Sequence, residues 1–320
     1  MPVRKTVEET GLAVVSPMSP AMRELVKKLG ERPQASETAR GYAADWRSFV
    51  AFTKSQRLQA LPAQEETIVA YLAALAGGGK KHSTIARHYA TIRSKHREAG
   101  RPLPTLEAVR NALANIGRTI GTAPQGKAPL MADVLKRVVG MLDDSITGVR
   151  DRALLLVGFA AAMRRSELVA LNVSDVQFTD DGLVVTVRRS KTDQVGKGRK
   201  IGIPHGSIHA CPVRSLRAWI AQGGITEGAL FRRVRKGVVE KRLPAGEVAV
   251  IVKRTVELAG LDPKEFAGHS LRSGLATSAA KAGKGLDVIM ATTGHKSERV
   301  AMGYIKHGSL FDKPASEGLL

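Results

Sequence analysis

The sequence predicts a mainly α-helical protein of two domains, the second carrying one small antiparallel β-sheet. Three observations support this. Apolar residues recur at helical spacing through nearly the whole chain. The period changes to two only at Leu183-Val184-Val185-Thr186-Val187 and Arg199-Lys200-Ile201-Gly202-Ile203. Between two helical blocks, residues 120–129 hold two glycines, two prolines and little apolar mass, the composition of a linker. The chain has 320 residues, enough for two separate cores, and its 43% hydrophobic content excludes a disordered chain.

Residues 1–20 lack periodicity and read as a tail. A first domain is expected over 21–119. Met22, Leu25, Val26 and Leu29 open it at helical spacing and stop at Gly30. Ser36 to about Gln56 is the strongest helix, with Ser36 as expected N-cap and Tyr42, Trp46, Phe49 and Thr53 along one core-facing stripe. Ile68, Val69, Tyr71, Leu72 and Leu75 form the next helix, broken at Gly77-Gly78-Gly79. That glycine run with Lys80 is a turn rather than a phosphate loop, because Lys81 follows and no strand precedes it. Ser83 is expected to cap a fourth helix, with Ile85, Tyr89 and Ile92 inward. Arg87, His88, Arg93, Lys95, His96 and Arg97 form its basic face. Leu106 to Thr119 completes a helical bundle.

The second domain is expected over 130–320. A helix runs to about Leu142, a buried one covers Asp151–Ala162, and Arg164–Leu171 continues it. The two strands follow, joined by a polar connection that holds Lys191 and ends in Gly196-Lys197-Gly198. Pro212 starts a helix through Trp219. From about Gly246 the chain is helical again, punctuated by Gly260, Gly268, Gly283 and Gly294.

Charge narrows the class of partner. Lys and Arg number 50 against 29 Asp and Glu, a formal net charge of +21, which points to a polyanion. Between Gly182 and Arg242 there are 14 basic residues and three acidic ones (Asp193, Glu227, Glu240), so positive charge is densest around the hairpin and its loops. No run of 18 apolar residues could span a membrane. The N-terminus lacks the apolar core of a signal peptide, and a single cysteine, Cys211, fits a reducing compartment. The expected location is the cytoplasm.

The chemistry concentrates late in the chain. Gly268-His269-Ser270-Leu271-Arg272 is followed by Gly294-His295-Lys296 and then Tyr304. His269 and Arg272, three apart, share a helix face. No third ligand stands at metal spacing, and Ser270 has no nucleophile elbow around it. The set instead suits a phosphodiester. Arg272 and Arg164 are fork-shaped cations for phosphoryl oxygens, the histidines are acid–base groups, and Tyr304 is a phenol nucleophile.

In that order these residues resemble the tyrosine recombinase (phage integrase) family, of the lambda integrase, Xer and Cre type. The resemblance is close across about 130–320 and weaker but consistent across 20–120. Ala162-Met163-Arg164-Arg165-Ser166-Glu167-Leu168 is similar to the family's first arginine motif, with Arg165 where an apolar residue is more usual. Gly268–Arg272 is similar to its His-x-x-Arg box, Gly294-His295-Lys296-Ser297 to its second histidine motif, and Tyr304 stands nine residues after His295.

The resemblance implies a DNA breaking–rejoining fold: an N-terminal helical core-binding bundle and a C-terminal catalytic domain ending in a protomer-exchange tail. It implies that Tyr304 attacks phosphorus to form a 3′-phosphotyrosyl bond. Arg164, Arg272 and His295 would hold the phosphoryl oxygens, His269 would act as acid–base partner of the tyrosine, and Glu167 would help place the site. Lys191, favoured over Lys197 and Lys200, would be the general acid for the leaving 5′ oxygen. No cofactor and no metal are expected. Lys80, Lys81, Arg87, Arg93, Lys197 and Lys200 are candidate DNA contacts.

The expected partners are double-stranded DNA and three further copies of the chain, a homo-tetramer on two DNA sites. The apolar set Leu310, Phe311, Ala315, Leu319 and Leu320 would dock on the neighbouring subunit. Accessory directionality factors are further candidates, and the short N-terminus leaves no room for a separate arm-binding domain. The alternatives are a type IB topoisomerase-like DNA-relaxing enzyme and a non-catalytic DNA-binding protein of the same fold.

Overall fold

The structure, a computed structural model, describes residues 19–22, 24, 36–103, 106–122, 126–188, 198–295, 297–299 and 301–303. The chain divides into two units, Met1–Pro124 and Gln125–Leu320. The predicted helix at Met22–Leu29 and the two tails lie largely outside the described residues.

Among the described residues of the first unit, four helices pack round one core: α1 (Ser36–Ser55), α2 (Glu65–Gly77), α3 (His82–Glu98) and α4 (Glu107–Ile120). Ala63 and, from the stripes that the helical period sets on one face, Phe49, Ile68, Tyr71, Leu72, Ile85, Ile92 and Val109 are its buried residues. The start of α4 has its backbone donors met from another helix. The Glu65 carboxylate accepts from the N–H of Ala108 at 2.8 Å and of Val109 at 3.4 Å. Ser83 is not the cap of α3. That helix begins at His82 with Lys81 in the capping position and no side-chain bond there.

His88 and His96 were expected on a basic surface and are instead core residues. His96 accepts from the Ala63 N–H at Nε2 (2.9 Å), which leaves Nδ1 to donate to the Ile92 carbonyl (2.8 Å). His88 lies between the Tyr71 hydroxyl (2.8 Å) and buried Asp45 (3.2 Å), and Asp45 also pairs with Arg87. The helical period places both histidines on the inward side, and their hydrogen bonds make that burial tolerable.

The second unit is built on α6 (Ile146–Ala160), buried on nearly every side and capped by the Ser145 hydroxyl, which accepts from the Gly148 N–H. α5 (Ala132–Gly140), α7 (Arg165–Ala170), α8 (Pro212–Gln222) and α10 (Ser270–Lys281) pack against it. α9 (Ala245–Leu258) lies on α7, and α11 (Leu286–Thr293) on α10. The sheet has three antiparallel strands, β1 (Val176–Phe178), β2 (Gly182–Val187) and β3 (Arg199–Pro204). Val185 pairs with both Val176 and Ile201, and Val187 pairs with Arg199.

β1 was not predicted. Nor was a second ribbon, β4 (Arg232–Arg235) with β5 (Val238–Arg242), which turns at Lys236-Gly237, both at positive φ. Its strands are mostly charged, so they lack the apolar alternation by which a strand is recognised.

Two close contacts lock the start of this unit to α10. The Leu130 N–H donates to the Ser270 carbonyl at 2.9 Å, and a Cβ on Gly274 would fall 1.9 Å from the Leu130 oxygen. The obstacle is backbone, which cannot swing aside. Gly274→Ala should therefore cost about 3 kcal/mol, the upper end of overpacking penalties. Gly140→Ala, where a Cβ would meet nothing within 4 Å, should be neutral or slightly stabilising. Urea midpoints of the two variants check this.

Candidate active site

The segment between α6 and α7 sets the first side of the site. Ala162 is forced to φ +48°, a rare conformation for a residue with a Cβ. The chain then enters α7 with Arg164 as its N-cap residue. Three residues on, the Glu167 carboxylate turns back to accept from the Arg164 N–H (3.1 Å) and from its guanidinium. This is the local geometry of a helix start, where the first N–H groups need an outside acceptor. Here it also fixes an arginine head. The other Glu167 neighbour comes from β3, where Nη2 of Arg199 lies 3.5 Å from Oε2.

The second side comes from α10, with His269 at its N-cap and Arg272 one turn in. Arg272 is 1% exposed. Its Nη1 donates to the carbonyl of the strained Ala162 at 2.8 Å, and its Nη2 lies 3.0 Å from Nε2 of His295. His295 follows α11, which ends at Gly294 in the left-handed conformation (φ +69°). A side chain at Gly294 would be strained by the positive φ, and its Cβ, 2.0 Å from Nη1 of Arg199, would push that guanidinium aside.

The turn that presents His295 is thus seated on a guanidinium. A cavity of about 260 Å³ opens beside Arg164 and His269, walled also by Ala249 and Gly268.

Arg164 and Arg199 thus meet at one carboxylate, Glu167, while Arg272 reaches the Ala162 carbonyl and His295 beside them. Burial first, and then this crowd of cations, keeps the imidazoles neutral. His295 is lowered to about 4, by burial first and then by Arg272, Arg164, His269 and Arg199. His269 is also held below the usual histidine range, by burial and then by Arg272 and Arg164. Such a site offers an anion fixed donors of positive charge and two uncharged imidazoles.

Of the residues singled out in the sequence, Arg164, Glu167, His269, Arg272 and His295 come together. Lys191, Lys197 and Tyr304 lie outside the described residues. Lys200 stands on the exposed face of β3. Lys80 and Lys81 are exposed, Arg87 pairs with Asp45, and Arg93 lies over the Tyr89 ring.

Two residues of the cluster were not foreseen. Arg199 shares the inward face of β3 with Ile201 and Ile203, and an arginine in phase with buried isoleucines was the available signal. Thr293, fully buried against His295, gave none.

Residues 129–309 match the phage integrase family, and residues 24–101 match the N-terminal SAM-like domain of phage integrases. An integrase/recombinase xerD homolog from Selenomonas ruminantium is 39% identical over 293 residues, covering 89% of this chain and 86% of the relative. Among solved structures, a lambda integrase dimer bound to a COC′ core site aligns with a TM-score of 0.61 at 20% identity, over 88% of this chain and 93% of that one. A lambda integrase tetramer bound to a Holliday junction aligns at 0.58 and 20% identity, over 88% and 75%.

The neutral histidines give stability a pH dependence. In the folded state His295 titrates near 4, whereas an unfolded histidine titrates near 6.5. The unfolded chain therefore binds more protons between those values. The contribution is fully present above about 6.5 and is lost as pH falls towards about 4. His295→Gln should flatten this part of the curve, seen as a smaller drop in urea midpoint from about pH 7 to about pH 4 than in the wild type.

Proposed function

This chain belongs to the phage integrase family, the tyrosine recombinases that cleave and rejoin DNA at specific sites, and we propose that it does so through Tyr304. The observation that carries the assignment of roles is the convergence of Arg164, His269, Arg272 and His295, from three distant segments, on one cation-rich site. The phosphodiester sits with its non-bridging oxygens towards Arg164, Arg272 and His295. The two guanidiniums are already oriented, so they stabilise the charge of the transition state without reorganising, and His295 joins them once its Nε2 is protonated.

The Tyr304 oxygen attacks phosphorus, and its proton passes to neutral His269. The bond to the 5′ oxygen breaks, and that oxygen takes a proton from Lys191. The products are a 3′-phosphotyrosyl bond and a 5′-hydroxyl, and reversal by another strand's 5′-hydroxyl rejoins the DNA. The bond energy is conserved in the covalent intermediate, so neither step draws on a nucleotide or a metal. Glu167 keeps Arg164 in place. Lys200 is disfavoured as the acid because it stands on the outer face of its strand.

The unit before the linker, residues 21–119, grips the duplex through Lys80, Lys81, Arg87 and Arg93. Lys197 and Lys200 contact backbone from residues 130–320. Four protomers act together on two sites in the cytoplasm, each C-terminal tail docking on the next subunit, so that the contact closes into a ring. The alignment with a lambda integrase tetramer on a Holliday junction supports this arrangement. Accessory directionality factors would set which way the exchange runs.

Covalent trapping tests the nucleophile. Wild type and Tyr304→Phe are incubated with nicked duplexes tiled across the DNA flanking the protein's own gene. A denaturant-resistant adduct with wild type that is absent from the variant is the expected result. An adduct that survives in the variant removes Tyr304 from the role, and supercoil relaxation without strand exchange returns the topoisomerase reading.

On any fragment that traps, Arg272→Lys should lower the rate of adduct formation roughly 10²–10³-fold while binding is kept. An ammonium cannot span the bonds that the guanidinium fork makes.

A further inference from the structure

The hydrogen-bond roles at His295 can be worked out from its two neighbours. A guanidinium donates and never accepts, so the 3.0 Å contact with Nη2 of Arg272 requires a lone pair on Nε2. A neutral imidazole with its lone pair on Nε2 carries its proton on Nδ1. That nitrogen lies 2.8 Å from Oγ1 of Thr293, which must then accept. The threonine is free to accept because its own hydroxyl proton is directed to the Ile289 carbonyl, at 2.7 Å, one turn back in α11. Thr293 is fully buried at the last position of that helix, so water does not compete for these bonds.

We propose that Thr293 is a positioning residue of the recombination site, holding His295 as the Nδ1–H tautomer with Nε2 turned to Arg272 and the incoming phosphate. The nitrogen that carries the proton is set by the bond that the other nitrogen makes. The charged and titratable groups facing this imidazole, among the described residues, are Arg272 on α10, Arg164 at the start of α7, Arg199 on β3 and His269. All but His269 are cations, which cannot accept a bond from Nδ1. In this tautomer the neutral ring accepts from Arg272 while no DNA is bound. It donates from Nε2 to a phosphoryl oxygen once that nitrogen takes a proton from solvent, and the Nδ1–H bond to Thr293 is unchanged by that step.

The test uses the full chain, free of DNA, so it stands whether or not Tyr304 is the nucleophile. Nitrogen-15 shifts of the ring nitrogens report the tautomer, and the His295 signal is identified by its loss in His295→Gln. Wild type and Thr293→Ser should both show the Nδ1–H form at neutral pH. Thr293→Val, equal in shape and without the hydroxyl, should shift towards Nε2–H.

On the adduct-forming fragment Thr293→Val should cleave about tenfold more slowly, the lower end of what losing an imidazole's orienting partner costs. Thr293→Ser should restore the rate. A valine variant that keeps the wild-type tautomer overturns the proposal, as does a wild type in the Nε2–H form. Equal slowing in both variants, in step with lost thermal stability, shows a merely structural threonine. If the valine variant does not fold, the wild-type and serine spectra still decide.

Discussion

The second unit is arranged around a problem of like charges. Arg164, Arg199 and Arg272 sit partly or wholly out of water, where guanidiniums repel one another and lose hydration. Glu167 answers for two of them, one from its own helix and one from β3. Because it is nearly buried, its attraction is little screened. Arg272 is met differently, by the carbonyl of Ala162 and the lone pair of a neutral histidine. Those partners satisfy geometry without cancelling charge. Among the described residues the three guanidiniums outnumber the one carboxylate, a balance that suits an anion.

A second buried set in the same unit shows what a purely structural solution looks like. Asp151 is fully buried in α6, and Arg150 reaches it with two nitrogens on one oxygen while Arg254 reaches the other. Burial pushes the Asp151 carboxyl up, against the pull of both arginines. The buried arginine there is matched one to one, and the second guanidinium is half in water. No comparable water access is left to Arg272. The two sets differ in how the cations are balanced rather than in residue type, and that difference separates a brace from a binding site.

Small residues make the cluster geometrically possible. Gly158 on α6 lies where a Cβ would meet Leu168 and Leu271, so α7 and α10 both approach closely there. Gly294 lets the end of α11 rest on Arg199. Much of this was legible beforehand. The helices announced themselves by period, and Arg164, His269, Arg272 and His295 by type and spacing. The inward pair His88 and His96 departs from the basic face their neighbours suggest, because helical phase and not charge decides which side meets the core. Arg199 was not legible in the same way, because a basic strand residue ordinarily faces water. The ribbon β4–β5 was invisible because its residues are stabilised by ion pairs and carbonyl contacts, such as Arg233 with Glu247 and Arg242 with Val169, and such partners are far apart in sequence.

The same reasoning explains why Thr293 could not be read from the sequence at all. A threonine near a helix end commonly bonds a carbonyl one turn back, and this one does so. Its significance depends on what happens beyond the helix. The left-handed turn at Gly294 folds His295 back over the hydroxyl, and Arg272, 23 residues before that histidine, fixes the far nitrogen as an acceptor. Each of the three contacts is ordinary alone. Together they leave a single consistent placement of the proton, carried by bonds running from the Ile289 carbonyl through Thr293 and His295 to Arg272. A constraint of this kind arises where segments meet, so local spacing identifies the histidine without identifying its protonation state.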